Sequence, residues 1–395
     1  LDFIGNYQQN YLIPIALAGD RTYNKDNLRK VVKEGSSIIP GCSTITFDHI
    51  SEQRVFKALE EGRFGTAKLI RAEYGDLRRL LGRIPSLLDF DANESIDPMI
   101  IINKYGSYPA FLQQYEQDCP YSFSPKKLDY LKFISTKMAS GKRRGELLIL
   151  RELLKSPDEA INEASAACRS HESITSTIRM LSGEFSTRGE QLIREVDGKI
   201  VLDPQFETAL SDPWFRNCVS DVLEFGLSRN EAAFAETYKD TDFVLNQKYT
   251  REDVCRLLRW AKEPNYQNVG GYFHDKETNT FPVFINYEKD PDISVTTQYE
   301  DRFVSDREII CISKSNRTLQ SPEIGNLAHA RELGMRCFLF LRKNKKDKDD
   351  GTEFYFLGEM HPTGQFEQIV MEDGSTSAVE ITYDLETPVR ADLYD

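Results

Sequence analysis

The chain of 395 residues is 40% hydrophobic and 29% charged, with a formal net charge of -13 at pH 7. This supplies enough apolar material for a buried core, no run approaches the roughly 20 apolar residues of a membrane helix, and the length suggests about two to three domains. Seven cysteines (42, 119, 168, 218, 255, 311 and 337) form no C-x-x-C, and with five scattered histidines they give neither a disulfide framework nor a metal site, as expected of a reducing cytoplasm.

The start, Leu1-Asp-Phe-Ile-Gly5, has no charged or apolar leader, so it reads as a cut inside a longer protein rather than a signal peptide. Tyr11–Leu17 and Ser43–Phe47 are strand-like, and Asn24–Val32 has a polar helical pattern. Ser51 is an N-cap for a helix over Glu52–Glu61. Thr66–Leu81 then repeats Leu69, Ile70, Tyr74, Leu77, Leu80 and Leu81 at helical spacing. Further helices are expected at Pro109–Gln117, Lys127–Ser140, Gly145–Leu154, Asp158–Ala167, Ser173–Leu181, Pro204–Ala209 and within Asp212–Tyr238. Inside this helical region, Leu192–Leu202 sets an Asp197-Gly198 turn between two β-prone runs, a strong hairpin signal. Helices followed by such a hairpin resemble a winged helix, which either touches DNA or protein or simply packs between domains.

A domain boundary is expected near 240–248. Thr250 caps a helix running to Trp260, and the remainder is strand-dominated: Phe281–Tyr287, Glu308–Ser313, Arg336–Leu341, Glu353–Leu357, Phe366–Val370 and Ala378–Tyr383. One helix, Pro322–Leu333 with Ser321 as N-cap, interrupts them. The fold class is therefore α+β, a helical N-terminal part followed by a small, strongly curved sheet or barrel.

Charge is unevenly spread. Residues 126–155 carry nine Lys or Arg against three acids, and residues 305–346 carry nine against four. Either basic stretch is a solvated face or a phosphate contact. Chemical motifs are mostly missing: there is no phosphate loop of the G-x-x-x-x-G-K-[ST] type, no G-x-S-x-G and no H-E-x-x-H. His274-Asp275-Lys276 opens like a phospholipase D nuclease motif, but Phe281 stands where its aspartate is needed. Asp197-Gly198-Lys199 is explained by the hairpin turn. No catalytic residue and no metal site is expected in this chain.

What remains is recognition. An extruded base needs a π-face to stack on and polar groups for its edge. Most aromatics between 268 and 318 alternate as a β-core would. Tyr299-Glu300-Asp301 does not, and it is the first candidate base pocket, with Tyr272 after Gly270-Gly271 the second. Ser313-Lys314-Ser315-Asn316-Arg317-Thr318, leading into Ser321-Pro322, gathers Lys314, Ser315, Arg317, Thr318 and Ser321 as a candidate phosphate site. An ordinary capped loop explains the same residues.

Leu1–Tyr7, Leu12–Leu17 and Thr46–Asp48 resemble the segment after the last motif of a superfamily II helicase core. Tyr249–Val254, Asn268–Tyr272, Tyr299–Phe303, Ser313–Thr318, Ser321–Glu323 and Phe354–Glu359 resemble the terminal domain of bacterial helicase-like proteins with an N-terminal phospholipase D nuclease, among them the SauUSI-type modification-dependent (Type IV) restriction enzymes. The resemblance implies a residual helicase end (1–50), a helical coupler (51–245) and a β-rich DNA-recognition domain (246–395) similar to the SET- and RING-associated or pseudouridine-synthase-associated folds. It further implies a cytoplasmic antiviral hydrolase whose ATP- and Mg-dependent translocase and nuclease lie upstream in the same chain. The partner implied is double-stranded DNA with 5-methylcytosine-type bases read by base flipping, with no membrane. A protein-interaction module of a defence helicase and an RNA-binding reader are the rival readings.

Overall fold

The computed structural model describes residues 65–155, 171–266, 269, 271–288, 301–344, 352–371 and 374–394, with isolated positions before residue 65. The architecture is α+β, and packing divides the chain into two compact units, 1–141 with 203–229 and 142–202 with 230–395. Residues 230–245 thus pack with the strands that follow them, and the hairpin segment belongs to the same unit.

The first unit is helical: α1 (Ala67–Leu81), α2 (Leu87–Ala92), α3 (Pro98–Tyr105), α4 (Tyr108–Tyr115) and α5 (Pro125–Met138). Its starts share one chemistry. Thr66, Asp97, Ser107 and Ser124 each accept a backbone N–H of the first turn, and proline fills N1 or N2 in three of the four. On α1 the residues Ile70, Tyr74 and Leu77 face inward, where Tyr74 meets Phe111 and Tyr108 edge-on at 5.1 and 6.4 Å between ring centroids. Leu80 stays 72% exposed, so the apolar pattern overstated that face.

The second unit begins with α6 (Arg144–Lys155) and α7 (His171–Leu181), then the hairpin β1 (Ile193–Val196) and β2 (Lys199–Leu202). Asp197 and Gly198 both have positive φ, 51° and 73°, as a two-residue primed turn requires. The chain returns to the first unit through α8 (Pro204–Leu210) and α9 (Pro213–Arg229), whose end passes into a π-helical turn at Asn230–Phe234. Next come β3 (Lys248–Thr250), α10 (Arg251–Leu257), β4 (Thr280–Glu288), β5 (Arg302–Ser305), β6 (Glu308–Ile312), α11 (Pro322–Ala328), β7 (Arg336–Asn344), β8 (Glu353–Val370), β9 (Ser377–Leu385) and α12 (Ala391–Tyr394).

The strand order is β4-β7-β8-β9-β6-β5, with β3 also on β8 and only β4–β7 parallel. The early half of β8 pairs β7 and β3, and its later half pairs β9. At the bulge within the β7-paired stretch, just before the β9 pairing begins at Met360, Gly358 has φ 98° and contributes no side chain. Among the described residues no ladder joins β4 to β5. One face holds Val283, Leu339, Leu357, Ile381 and Ile309 against Ile324 and Leu327 of α11. The other stacks Phe338, Phe340 and Phe356 around Phe243, with Phe243–Phe356 at 4.8 Å. Burial on both faces explains why β7 reads as an unbroken apolar run.

A buried charge network joins α6 to α10. Arg143 and Arg256 both grip Glu146, and Arg256 reaches Asp253 at 3.1 Å. Lys142 Nζ bridges Asp253 at 2.7 Å and Glu353 at 2.6 Å. The basic run at 126–155 is thus largely structural here, and farther back Lys127 pairs with Asp212 at 2.7 Å.

Some expectations lie on residues outside those described: the strand at 43–47 and the helix at 158–167. In the segment 11–17 only Ile15 is described, and it is helical; Lys25, Leu28, Val32 and Val55 are helical as expected.

Candidate nucleic-acid interface

The loop 313–321 leaves the end of β6 and enters α11. Its start is locked to β9: the Ser313 N–H donates to Val379 O at 2.8 Å, and its Oγ accepts the Val379 N–H at 2.9 Å. Asn316 then takes a left-handed φ of 62° and its N–H donates to Ser377 O at 2.8 Å. This reversal carries Arg317 back toward α11, where its Nε pairs with Glu323 Oε2 at 2.8 Å and raises its own pKa through that contact.

Tyr272 organises the other side. Gly271, at φ 86°, turns the chain so that Tyr272 bridges to Val283 of β4 and stacks on Phe281 at 5.2 Å. The Tyr272 hydroxyl accepts the Lys314 N–H at 3.0 Å and donates to Glu323 Oε2 at 3.3 Å. Burial first, then the Glu323 charge, pushes its pKa up, so it stays protonated and donating. Lys314 Nζ lies 4.7 Å from the centre of the same ring, and burial together with the nearby Arg317 pushes its pKa down.

Of the expected pocket residues, Tyr299 and Glu300 lie outside the described residues. Asp301 is half-buried, and its Oδ1 accepts the Ile312 N–H at 3.0 Å. Tyr272 is only 5% exposed and belongs to the core, so its ring is not offered for a base to stack on. Of the expected phosphate residues, Ser321 does not cap α11 with its side chain; its Oγ instead accepts the Thr318 N–H at 3.0 Å. Lys314 and Arg317 converge on Glu323 and Tyr272, while Ser315 is half-buried in the same loop. Phe281 and Phe284 are core residues, as alternation implied.

Two motif fragments acquire structural explanations. His274 bonds Asn279 at 3.0 Å, and Asp275 Oδ2 accepts from the Thr278 N–H and hydroxyl at 2.8 and 2.7 Å, closing the turn into β4. Asp197-Gly198-Lys199 is the hairpin tip. Sequence reading missed one acid–histidine group, Glu359, His361 and Glu386, whose donor atoms lie within 4.8 Å of one another. Lys239 Nζ binds Glu359 at 2.9 Å and also Glu386, while Arg336 takes the other Glu359 oxygen. The acids are neutralised by the protein's own cations, which makes an ion-pair network of this group. Glu386 is accordingly held down to about 2, burial opposing and Lys239, Tyr238 and His361 prevailing.

Fold and site together define an α+β protein with a β-rich terminal part whose one sheet end carries a cationic, aromatic loop. Residues 243–395 match a domain of unknown function (DUF3427), and residues 70–233 match a second one (DUF8090). No curated protein matches the chain. No helix among the described residues is long and apolar enough to cross a membrane.

Proposed function

We propose that this chain is the recognition part of an ATP-dependent, modification-dependent restriction enzyme and that its terminal domain reads modified cytosine in double-stranded DNA by flipping the base. One observation carries the reading. The Asp301–Ile312 hydrogen bond, 3.0 Å, ties Asp301 to the last residue of β6, two positions before Lys314. This acid and the cationic loop therefore share one end of the sheet, which suits a base pocket beside a phosphate contact. A carboxylate such as that of Asp301 is a group that can accept from the cytosine amino group. Translocation and cleavage belong to ATP- and Mg-dependent domains upstream, and this chain alone neither hydrolyses ATP nor cuts DNA.

The test is a fluorescence-anisotropy panel with a 5-methylcytosine duplex, the unmodified duplex and RNA of the same sequence. The methylated duplex should bind tightest, and Tyr299→Ala should erase most of the preference, since base–aromatic stacking contributes about 1–3 kcal/mol. Preference for RNA would replace this reading with an RNA reader. Failure to bind any nucleic acid would leave a protein-interaction module.

A further inference from the structure

The cationic loop ends in a turn that presents a leucine to solvent. The Ser321 N–H donates to Thr318 O at 3.0 Å, and the Thr318 N–H donates to Ser321 Oγ, also at 3.0 Å. These two bonds close a tight turn whose central residues, Leu319 and Gln320, are both exposed. Glycine, proline and small polar residues ordinarily fill such positions. Leu319 is 43% exposed there, and its own N–H donates to Gln368 Oε1 at 3.5 Å, which fastens the tip to the later half of β8. Gln368 and Val370 share one face of β8, because side chains alternate along a strand. The cross-strand partner of Gln368 is Val379, which belongs to the core under α11, and Val370, one step further out on that face, is 62% exposed. A scattered surface leucine needs no explanation. Leu319 differs in its mounting: three hydrogen bonds hold the turn, and Arg317 stands immediately before it.

Proteins that deform DNA insert apolar side chains, leucine among them, between base steps and kink the duplex there. The cost of opening a step depends on its sequence: pyrimidine–purine steps such as CA open easily, and stiffer steps resist. We propose that Leu319 is such a wedge, that it enters the base stack at the step containing the modified cytosine, and that it makes affinity depend on the base that follows that cytosine. The inference rests on the DNA reading above and adds to it a residue that sets sequence context. A backbone phosphate on the loop would fix where the turn meets the duplex, and the rigid turn would then drive the leucine into one step. Context is selected through the stiffness of that step, without a hydrogen bond to the neighbouring base.

The test uses the full chain and two methylated duplexes that differ only in the base pair after the 5-methylcytosine, with adenine following it in one and cytosine in the other. Fluorescence anisotropy gives the affinity, and energy transfer between dyes at the two duplex ends gives the bend. The wild type should bind the adenine duplex about 5–10-fold tighter than the cytosine duplex, and binding should raise the energy transfer. Leu319→Ser should bring the two affinities within about twofold of each other and reduce the bend, while keeping the preference for methylated over plain DNA, since the wedge reads no methyl group. The turn is held through backbone groups and the Ser321 and Gln368 side chains, so serine leaves it intact. Leu319→Met keeps an apolar wedge and should keep both the step preference and the bend. Leu333→Ser removes another exposed leucine, 51% exposed and outside the loop, and should change neither. A wild type that prefers methylated DNA but binds both steps equally, or a Leu319→Ser protein with step preference and bend unchanged, overturns the wedge and leaves the DNA reading standing. A chain that binds no duplex removes both.

Discussion

Glu146 is the most consequential single acid in the second unit. It is about 1% exposed, and its two oxygens are taken by Arg143 and Arg256, which are equally buried. Both arginines pull its pKa down against the opposing effect of burial. Replacing it by Gln preserves size and leaves the two arginines desolvated without their shared counter-charge. At an effective dielectric constant of about 20, one pair at about 4 Å contributes about 4 kcal/mol of attraction. Breaking a buried pair by removing one partner typically costs about 3–5 kcal/mol, and that is the loss expected for Glu146→Gln. Only two tryptophans occur in the sequence, and Trp260 is the one in this unit, buried with its Nε1–H on Thr280 at 2.9 Å. In a Trp214→Phe background its fluorescence therefore follows the second unit. With a urea dependence of about 2–3 kcal/mol per molar, the midpoint should fall by about 1–2 M. The wild-type contribution should be present above about pH 4.3, the unfolded value for Glu, and fade as the pH drops through the lower folded value. The exposed Arg144–Glu231 pair of the same unit supplies the control, because such pairs contribute about 0–1 kcal/mol. If Glu146→Gln shifts the midpoint no further than Glu231→Gln does, the network is not holding the unit together.

Three other outcomes follow from the same geometry. Burial raises the Asp221 pKa to about 6 while it accepts the Leu87 N–H, so its ionisation burdens the folded state as pH rises from about 4 to 6. Asp221→Asn keeps the acceptor and should flatten that pH dependence, a change on the order of 2–3 kcal/mol read from denaturation curves at pH 4 and 7.5. Gly358→Ala places a Cβ 3.4 Å from Leu245 at φ 98°, and should cost about 1–3 kcal/mol by the same Trp260 assay. Changing Lys314 and Arg317 together to Ala should weaken methylated and plain duplexes alike in the anisotropy panel, since phosphate contacts carry no sequence information.

Elements that carry their own signal were legible. The α1 helix has a cap, fifteen residues of periodicity and Gly82 at its end; the Thr250 start is a capping box with Asp253; the hairpin has its Asp-Gly turn. Elements too short for periodicity were missed, namely α2 with six residues, α3 with eight, β3 with three and β5 with four. Two expected strands, 353–357 and 366–370, proved to be one long β8, because its bulges read as turn chemistry. The site was less legible than the fold, for a physical reason. Lys142, Arg143 and Arg144 read as a surface run, yet Lys142 finds its partners at 253 and 353, and no local pattern shows that.

Tyr272 shows how a local signal misleads. An aromatic after two glycines reads as a ring on a flexible arm, whereas Gly271 is the turn that brings the ring back into the core. The structure gives its hydroxyl the task of holding the 313–318 loop, through the Lys314 N–H at 3.0 Å and Glu323 at 3.3 Å. Tyr272→Ala would not separate that role from base stacking, because it removes ring and hydroxyl together. Tyr272→Phe does separate them. If the ring stacked on a flipped base, phenylalanine would serve nearly as well and binding would hardly change. If the hydroxyl positions the loop, its loss leaves the Lys314 N–H without this acceptor, at about 1–3 kcal/mol. Lys314 and Arg317 then lose their fixed geometry, and affinity should fall for methylated and plain duplexes by the same factor. A Tyr272→Phe protein with full affinity, set beside a Tyr272→Ala protein that has lost only its preference for the methylated duplex, would return Tyr272 to the base pocket.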